Sequence, residues 1–155
     1  MRTVTFSVSY TLREYLSFAR EHGAALLAER RRREGKPVPY GQEFRLPFHV
    51  RWAINLSSSI AFYLKHRQMP VCDFAIDERS IRRVAANGRL IVPWAEVVAI
   101  HRYSRGYLVA RSNGAMPLPF RCLNPEQATL LEELVVKRER ELANGRKEAP
   151  APQLQ

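Results

Sequence analysis

Histidine is the residue type in this chain whose chemistry is easiest to test from spacing, and its spacing argues against a metal centre. No two of the four histidines have the separation of a metal-binding motif, and they fall in four different predicted elements: His22, His49, His66 and His101. The serine run at 57–59 lacks the G-x-S-x-G context of a nucleophile. The carboxylates of the second half are scattered over separate strand ends: Asp73, Asp77, Glu78 and Glu96. We therefore predict no catalytic residues, no metal site and no cofactor. An enzyme remains an alternative that would require converging acid, base and donor groups.

The charge of the chain points to an anionic partner. The 155 residues contain 25 Lys and Arg against 15 Asp and Glu, a net charge of +10. The first 70 residues carry 12 of these cations against 5 carboxylates. An excess of this kind favours anionic lipid or nucleic acid through long-range attraction. Arg outnumbers Lys, which suits bidentate contact with phosphate, although a G+C-rich genome would explain the same bias.

Six arginines of the first half are the candidate residues for binding an anionic surface. Four form a run at the end of a predicted helix, and two lie on one face of a predicted strand: Arg30, Arg31, Arg32, Arg33, Arg45 and Arg51. The alternative for the run is a solvated helix end that favours the helix dipole. A nucleic-acid binder would need exposed aromatic residues among the basic ones. The strand pattern instead predicts that Phe44, Phe48 and Trp52 lie on the face opposite Arg45 and Arg51.

The first 39 residues predict a strand followed by a helix. Residues 4–10 alternate apolar and polar side chains, which is typical of a half-buried strand. Thr11 and Glu14 have the spacing of a capping box, so a helix is predicted to start there. Apolar residues then recur at spacings of three and four until Gly35, Pro37 and Pro39 end the helix.

Residues 43–55 alternate so regularly that they predict a second strand, with Trp52 on its buried face. Residues 57–69 predict a helix that Pro70 ends. A competing interpretation joins residues 47–64 into a membrane segment. Arg51, Asn55 and the serines dilute its apolar character, and an Arg near the centre of a span costs about 2.5–3.5 kcal/mol.

Residues 71–120 predict a series of short antiparallel strands. Two Asn-Gly pairs, at 87–88 and 113–114, indicate hairpins with type I′ turns. Trp94 is expected in the core, and Pro117 and Pro119 place the last strand at a sheet edge. A capping box at residues 124–127 then opens an amphipathic helix that packs on the sheet and is predicted to end at 144–145.

These elements predict an α+β fold: a pleckstrin-homology-like antiparallel meander, a curled sheet, capped by the C-terminal amphipathic helix, with an N-terminal strand and helix. We expect residues 1–145 to form one domain, with a strand-helix-strand part at 1–70 and a pleckstrin-homology-like part at 71–145. Residues 146–155 are predicted to be a disordered tail.

Two blocks of the sequence resemble a bacterial family. The block from Ser80 to Phe120, including Val92-Pro93-Trp94-Ala95-Glu96-Val97 and Met116-Pro117-Leu118-Pro119-Phe120, looks like the C-terminal module of YcxB-like proteins. The block Tyr10-Thr11-Leu12-Arg13-Glu14-Tyr15 resembles that family's N-terminal segment. The resemblance implies a small membrane-tethered protein with a cytoplasmic pleckstrin-homology-like module and no catalytic residues to transfer. Residues 22–70 depart from the family, which has a pair of hydrophobic spans there.

The sequence therefore predicts a non-enzymatic docking or regulatory module. Its expected partner is another protein or the anionic inner surface of the membrane, and the alternative is a basic nucleic-acid-binding protein. Two cysteines are too few for a disulfide framework, and the N-terminus lacks the apolar stretch of a secretory signal. We expect a cytoplasmic protein, with peripheral attachment at the inner face of the cytoplasmic membrane as an option.

Overall fold

A computed structural model of the chain describes residues 2–38 and 45–148, with side chains as far as residue 145. Within these ranges the chain forms three α-helices and seven β-strands, and short 3-10 turns lie at 94–96 and 120–122. In chain order the elements are β1 Val4–Val8, α1 Leu12–Arg33, α2 Phe48–Gln68, β2 Cys72–Ile76, β3 Ser80–Ala85, β4 Gly88–Pro93, β5 Val97–Tyr103, β6 Gly106–Arg111, β7 Gly114–Pro119 and α3 Pro125–Glu148.

The chain divides into two compact units, and one is an insertion in the other. Residues 9–70, with α1 and α2, form the helical unit, and residues 1–8 together with 71–155 form the sheet unit. β1 pairs antiparallel with β2, and Val8 lies opposite Cys72 in that register. The whole helical unit thus occupies the connection between two neighbouring strands.

The sheet unit contains two antiparallel sheets, with strand orders β1-β2-β3-β4 and β5-β6-β7. Period-two alternation puts one face of the first sheet in the core, where Phe6 and Phe74 stack with ring centroids 5.3 Å apart. The helix α3 contacts β5 and β1 and buries Leu131, Leu134 and Val135. The predicted α+β fold, a pleckstrin-homology-like meander capped by the C-terminal helix, is confirmed.

Local hydrogen bonds fix the ends of two helices as the sequence predicts. The Thr11 hydroxyl accepts a hydrogen bond from the Glu14 amide at 3.2 Å, which opens α1. At the start of α3, the Gln127 amide donates to the Asn124 side chain at 2.8 Å, and the Asn124 amide donates to the Gln127 side chain at 2.9 Å. All three backbone amides gain an acceptor that the helix itself does not provide.

The predicted end of α3 at residues 144–145 is wrong, because the helix continues to Glu148. A glycine ends a helix when it adopts a positive φ. Gly35 does so after α1, with φ +69, and the amides of Gly35 and Lys36 then donate to the Arg32 and Arg31 carbonyls. Gly145 keeps a negative φ and stays within the helix. Residues 149–155 of the predicted tail lie outside the described residues.

The predicted type I′ turns are also wrong. In the β3–β4 hairpin Ala85 pairs with Gly88, so the two central residues of the turn are Ala86 and Asn87. No non-glycine residue in the described ranges has a positive φ, which a type I′ turn needs at both central positions. Instead Gly88, with φ +124, takes the positive φ just after the turn, and Gly114 does the same in the β6–β7 hairpin with φ +139.

The largest correction concerns the predicted strand at residues 43–55. Residues 48–55 belong to α2, which absorbs the helix predicted at 57–69; residues 43 and 44 lie outside the described part of the chain. Ile54 and Phe62, eight residues apart, both pack against α1, which is a helical spacing. The alternating pattern was misleading because two of its apolar residues, Phe48 and Trp52, are exposed and do not face a core. Among the described residues, no helix is both long and apolar enough to cross a membrane.

Candidate functional site

All six candidate arginines lie in the helical unit. Arg30 to Arg33 form the last turn of α1, where three are exposed and Arg31 is half-buried. Arg45 is exposed just before α2, and Arg51 is exposed in its first turn. The structure thus assigns Arg51 to a helix, whereas the sequence predicted a strand for it.

Packing contacts show that α1 and α2 form an antiparallel hairpin. A Cβ atom added to Gly23 would lie 2.7 Å from Ile54 Cδ1, and the rings of Tyr15 and Phe62 are 5.7 Å apart. A step of eight residues back along α1 therefore corresponds to a step of eight residues forward along α2. The same register places the last turn of α1 beside the start of α2. The six arginines therefore share one end of the hairpin, which we call the basic end.

Carboxylates at the basic end offset only part of its charge. Arg30 Nε lies 2.9 Å from Glu34, Arg33 Nε lies 3.2 Å from Glu29, and Lys36 Nζ lies 2.8 Å from Glu34. The hydrogen bond from Lys36, followed by that from Arg30, lowers the pKa of Glu34 below its usual value. Residues 29–36 still contain five cations and two carboxylates. Exposed pairs of this kind contribute little stability, so an incoming polyanion can compete for them.

The helical unit holds more than half of the excess charge of the chain. Residues 9–70 contain 11 Lys and Arg against 5 Asp and Glu, a net charge of +6 out of the total +10. Between residues 45 and 70 there are four Lys and Arg and no acidic residue. The α2 half of the hairpin therefore contributes charge of one sign only.

Two arginines of the sheet unit have structural partners instead. Arg82 donates to the buried Asp77 carboxylate at 2.9 Å. Arg102 donates to Glu132 at 2.8 Å, which joins β5 to α3, and its guanidinium also lies 5.6 Å from the Tyr107 ring centroid. The Arg82–Asp77 pair has a buried carboxylate, whereas the Arg102–Glu132 pair is as exposed as the pairs of the basic end; both arginines are paired within the sheet unit.

An apolar surface along α2 is a second feature of the hairpin, and it was not predicted from the sequence. Six large side chains are exposed there at roughly i, i+4 spacing, and we call them the apolar stripe: Phe48 83%, Trp52 61%, Leu56 49%, Ile60 55%, Tyr63 59% and Leu64 61% exposed. The prediction that Trp52 is a core residue is wrong, because residue 52 lies on a helix whose other side faces α1. The expectation for Trp94 is confirmed, since its ring is buried and Nε1 donates to the Asp77 carbonyl at 2.7 Å. The i, i+4 spacing from Phe48 to Leu64 was a signal that could have revealed the stripe.

The stripe also changes the argument about nucleic acid. The strand interpretation separated Phe48 and Trp52 from Arg45 and Arg51. On α2, exposed Phe48 and Trp52 lie within a turn of exposed Arg51. The predicted segregation of basic and aromatic residues is wrong for these residues, and Phe44 lies outside the described part of the chain.

Within residues 2–38 and 45–148, no group of three His, Cys, Asp or Glu side chains could hold a metal ion. His66 stacks on Phe62 with ring centroids 5.1 Å apart, so its ring packs within α2.

Comparisons with protein-family models, curated proteins and solved structures found no match for this chain. The fold and the candidate site describe the class of structure to which the protein belongs. It is an α+β, pleckstrin-homology-like sheet unit with a helical hairpin, basic at one end, inserted between its first two strands. The resemblance to the YcxB-like family remains a prediction.

Proposed function

We propose that this chain is a non-enzymatic docking module whose helical hairpin binds the anionic inner surface of the cytoplasmic membrane. The observation that supports the proposal is the gathering of Arg30 to Arg33, Arg45 and Arg51 at one end of a hairpin with a net charge of +6. Clusters of four to eight Lys and Arg on a helical element are what anionic lipid surfaces attract. The YcxB-like resemblance, with its implied membrane association, agrees with this proposal.

The topology allows the two units to have different roles. The hairpin is an insertion between paired strands, so it can present its basic end while the sheet unit keeps its own core. We assign membrane contact to the hairpin. We propose that the sheet unit of the membrane-bound chain binds a partner protein.

Vesicle co-sedimentation of the full chain tests the proposal. We expect binding to phosphatidylglycerol-containing vesicles and much weaker binding to pure phosphatidylcholine. Raising the salt from about 0.1 M to about 1 M shortens the screening length from about 10 Å to about 3 Å and should strongly weaken this binding.

A charge-matched pair of variants locates the contact. Each basic residue near an anionic surface contributes about 1 kcal/mol. The triple variant R32Q/R45Q/R51Q should therefore bind about 100-fold more weakly at low salt. The control R79Q/R89Q/R105Q removes three exposed arginines of the sheet unit and should bind nearly as well as the wild type. Equal losses in both variants, or indifference of the wild type to anionic lipid, would contradict the proposal.

Nucleic-acid binding is the second candidate, supported by the exposed Phe48 and Trp52 near Arg51. Stacking on aromatic side chains contributes about 1–3 kcal/mol per base. A gel shift with a single-stranded oligonucleotide separates the candidates. A shift that weakens with salt and is lost in Trp52→Ala would favour nucleic acid. The absence of a shift, at a salt concentration where vesicles bind, would favour lipid.

A further inference from the structure

The charge of the basic end does not explain why α2 exposes the apolar stripe. A two-helix hairpin can cover only one side of each helix, and on α2 the covered side includes Ile54 and Phe62. Opposite that side, residues 52–64 expose large apolar side chains and contain no charged residue. Exposed apolar surface of this kind is a mark of an interaction site.

Charges at both ends of α2 indicate what covers the stripe. Arg51 lies in the first turn, and Lys65 and Arg67 lie in the last turn. A second copy packed on α2 would bring cations beside cations in either orientation, because residues 45–70 offer no carboxylate. An anionic bilayer instead supplies opposite charge at both ends and acyl chains between them.

Length decides how α2 would meet a bilayer. At 1.5 Å per residue the uncharged section 52–64 is about 18 Å long, well short of the roughly 30 Å of a hydrocarbon core. A helix with cations at both ends and an apolar face lies in the plane of the membrane interface. Trp52 and Tyr63, near the two ends of the stripe, have the amphipathic rings that favour the headgroup level.

We propose that α2 lies in the plane of the interface of an anionic membrane and inserts the apolar stripe between the headgroups and the acyl chains. This inference rests on the proposed function, because it concerns the same hairpin. It adds a second component to binding. The basic end attracts the hairpin to the surface, and the stripe holds it there by burial that salt does not screen.

Quenching of tryptophan fluorescence by brominated lipids tests the insertion in the full chain. The chain has two tryptophans: Trp52 is 61% exposed and Trp94 only 8%. We expect anionic vesicles with bromine on the acyl chains to quench the emission of the wild type, and Trp52→Phe to abolish that quenching. Trp94→Phe should keep it, because Trp94 lies in the core of the sheet unit.

A second pair of variants tests the stripe without relying on Trp52. L56Q/I60Q removes two exposed aliphatic side chains from the stripe and should lower the affinity for anionic vesicles about tenfold or more. V84Q/I91Q replaces two aliphatic side chains of the sheet unit with glutamine, at positions that are 44% and 51% exposed. It should bind as the wild type does.

The possible outcomes separate this inference from the proposed function. Failure of the wild type to bind anionic vesicles at low salt overturns both. Binding that high salt abolishes completely, with Trp52 unquenched, overturns insertion and leaves surface docking intact. Sedimentation velocity without lipid supplies the third outcome. A concentration-dependent dimer that L56Q/I60Q dissociates would show that a second copy covers the stripe, and would overturn insertion.

Discussion

Asp77 is the side chain whose removal has the most clearly predicted effect on stability. It lies between β2 and β3 and is 5% exposed. Its carboxylate accepts hydrogen bonds from the Arg79 amide at 2.8 Å, the Ser80 amide at 3.0 Å and the Arg82 guanidinium at 2.9 Å. Because its backbone carbonyl also accepts from Trp94, this corner joins the β2–β3 turn to the residue that follows β4. Its loss should loosen the first sheet.

The magnitude follows from the groups that lose their acceptor. Asp77→Ala leaves two backbone amides without the carboxylate, and hydrogen bonds to a charged group contribute about 1.5–3 kcal/mol each. Arg82 is partly exposed and can turn to water. We expect Asp77→Ala to lower the free energy of unfolding by about 3 kcal/mol, and Asp77→Asn, which keeps one acceptor oxygen, by about 1 kcal/mol.

The pH dependence has a definite sign. Burial of Asp77 raises the pKa of its carboxyl, but the hydrogen bonds from the Arg79 and Ser80 amides and the nearby Arg82 charge lower it more, so the net pKa lies below its ordinary value of 3.8. A depressed pKa contributes stability above the unfolded value, which is lost as the pH falls through the folded-state pKa. The difference in free energy of unfolding between the wild type and Asp77→Asn should therefore disappear as the pH falls below about 4.

Urea unfolding in a Trp52→Phe background measures this effect, because Trp94 is then the one tryptophan and reports on the sheet unit. The control is Glu78→Gln, since Glu78 is exposed in the turn between β2 and β3. Ordinary surface substitutions change the free energy of unfolding by about 0.5 kcal/mol or less. A decrease no larger than this for Asp77→Ala would refute the prediction. So would a difference between the wild type and Asp77→Asn that stays constant down to low pH.

Three further predictions concern the fold. Gly106→Ala should destabilise the sheet unit by about 3 kcal/mol or more in urea unfolding. A Cβ atom at this position would lie 2.2 Å from the Leu118 carbonyl oxygen, which is backbone and cannot rotate away. A urea midpoint equal to that of the wild type would contradict this prediction. Asn124→Ala should cost about 1 kcal/mol in the same assay, because the reciprocal cap with Gln127 is lost; unchanged stability would show that the cap contributes nothing. Replacing residues 9–70 with a short turn should leave a sheet unit that unfolds cooperatively, because the strands on either side are paired at the insertion point; a molten product would show that the hairpin is needed for folding.

The sequence predicted those features that depend on neighbouring residues. The caps at Thr11 and Asn124 each involve hydrogen bonds between residues three apart, so the residue types alone indicate them. The buried face of α3 follows from helical spacing in the same way. The turn at Asn87 was mispredicted because the turn type depends on which residues of β3 and β4 pair, and the Asn-Gly dipeptide does not determine that register.

The arrangement of the candidate site could not be predicted, for a physical reason. A periodic pattern reports burial only when the apolar residues face a core. From Phe48 to Ile54 the alternating apolar residues include Trp52, which is exposed, and Ile54, which packs on α1. The types of the six arginines indicated an anionic partner. The hairpin that gathers them at one end depends on long-range packing, which local patterns do not reveal.

Hydrogen exchange of the full chain, with and without phosphatidylglycerol-containing vesicles, tests the central claim most directly, since it reports which backbone segments are protected. The account predicts slower exchange at residues 45–68 and at the end of α1, with little change in the sheet strands. Protection confined to the sheet unit, or an exchange pattern that vesicles leave unchanged, would contradict membrane docking through the hairpin.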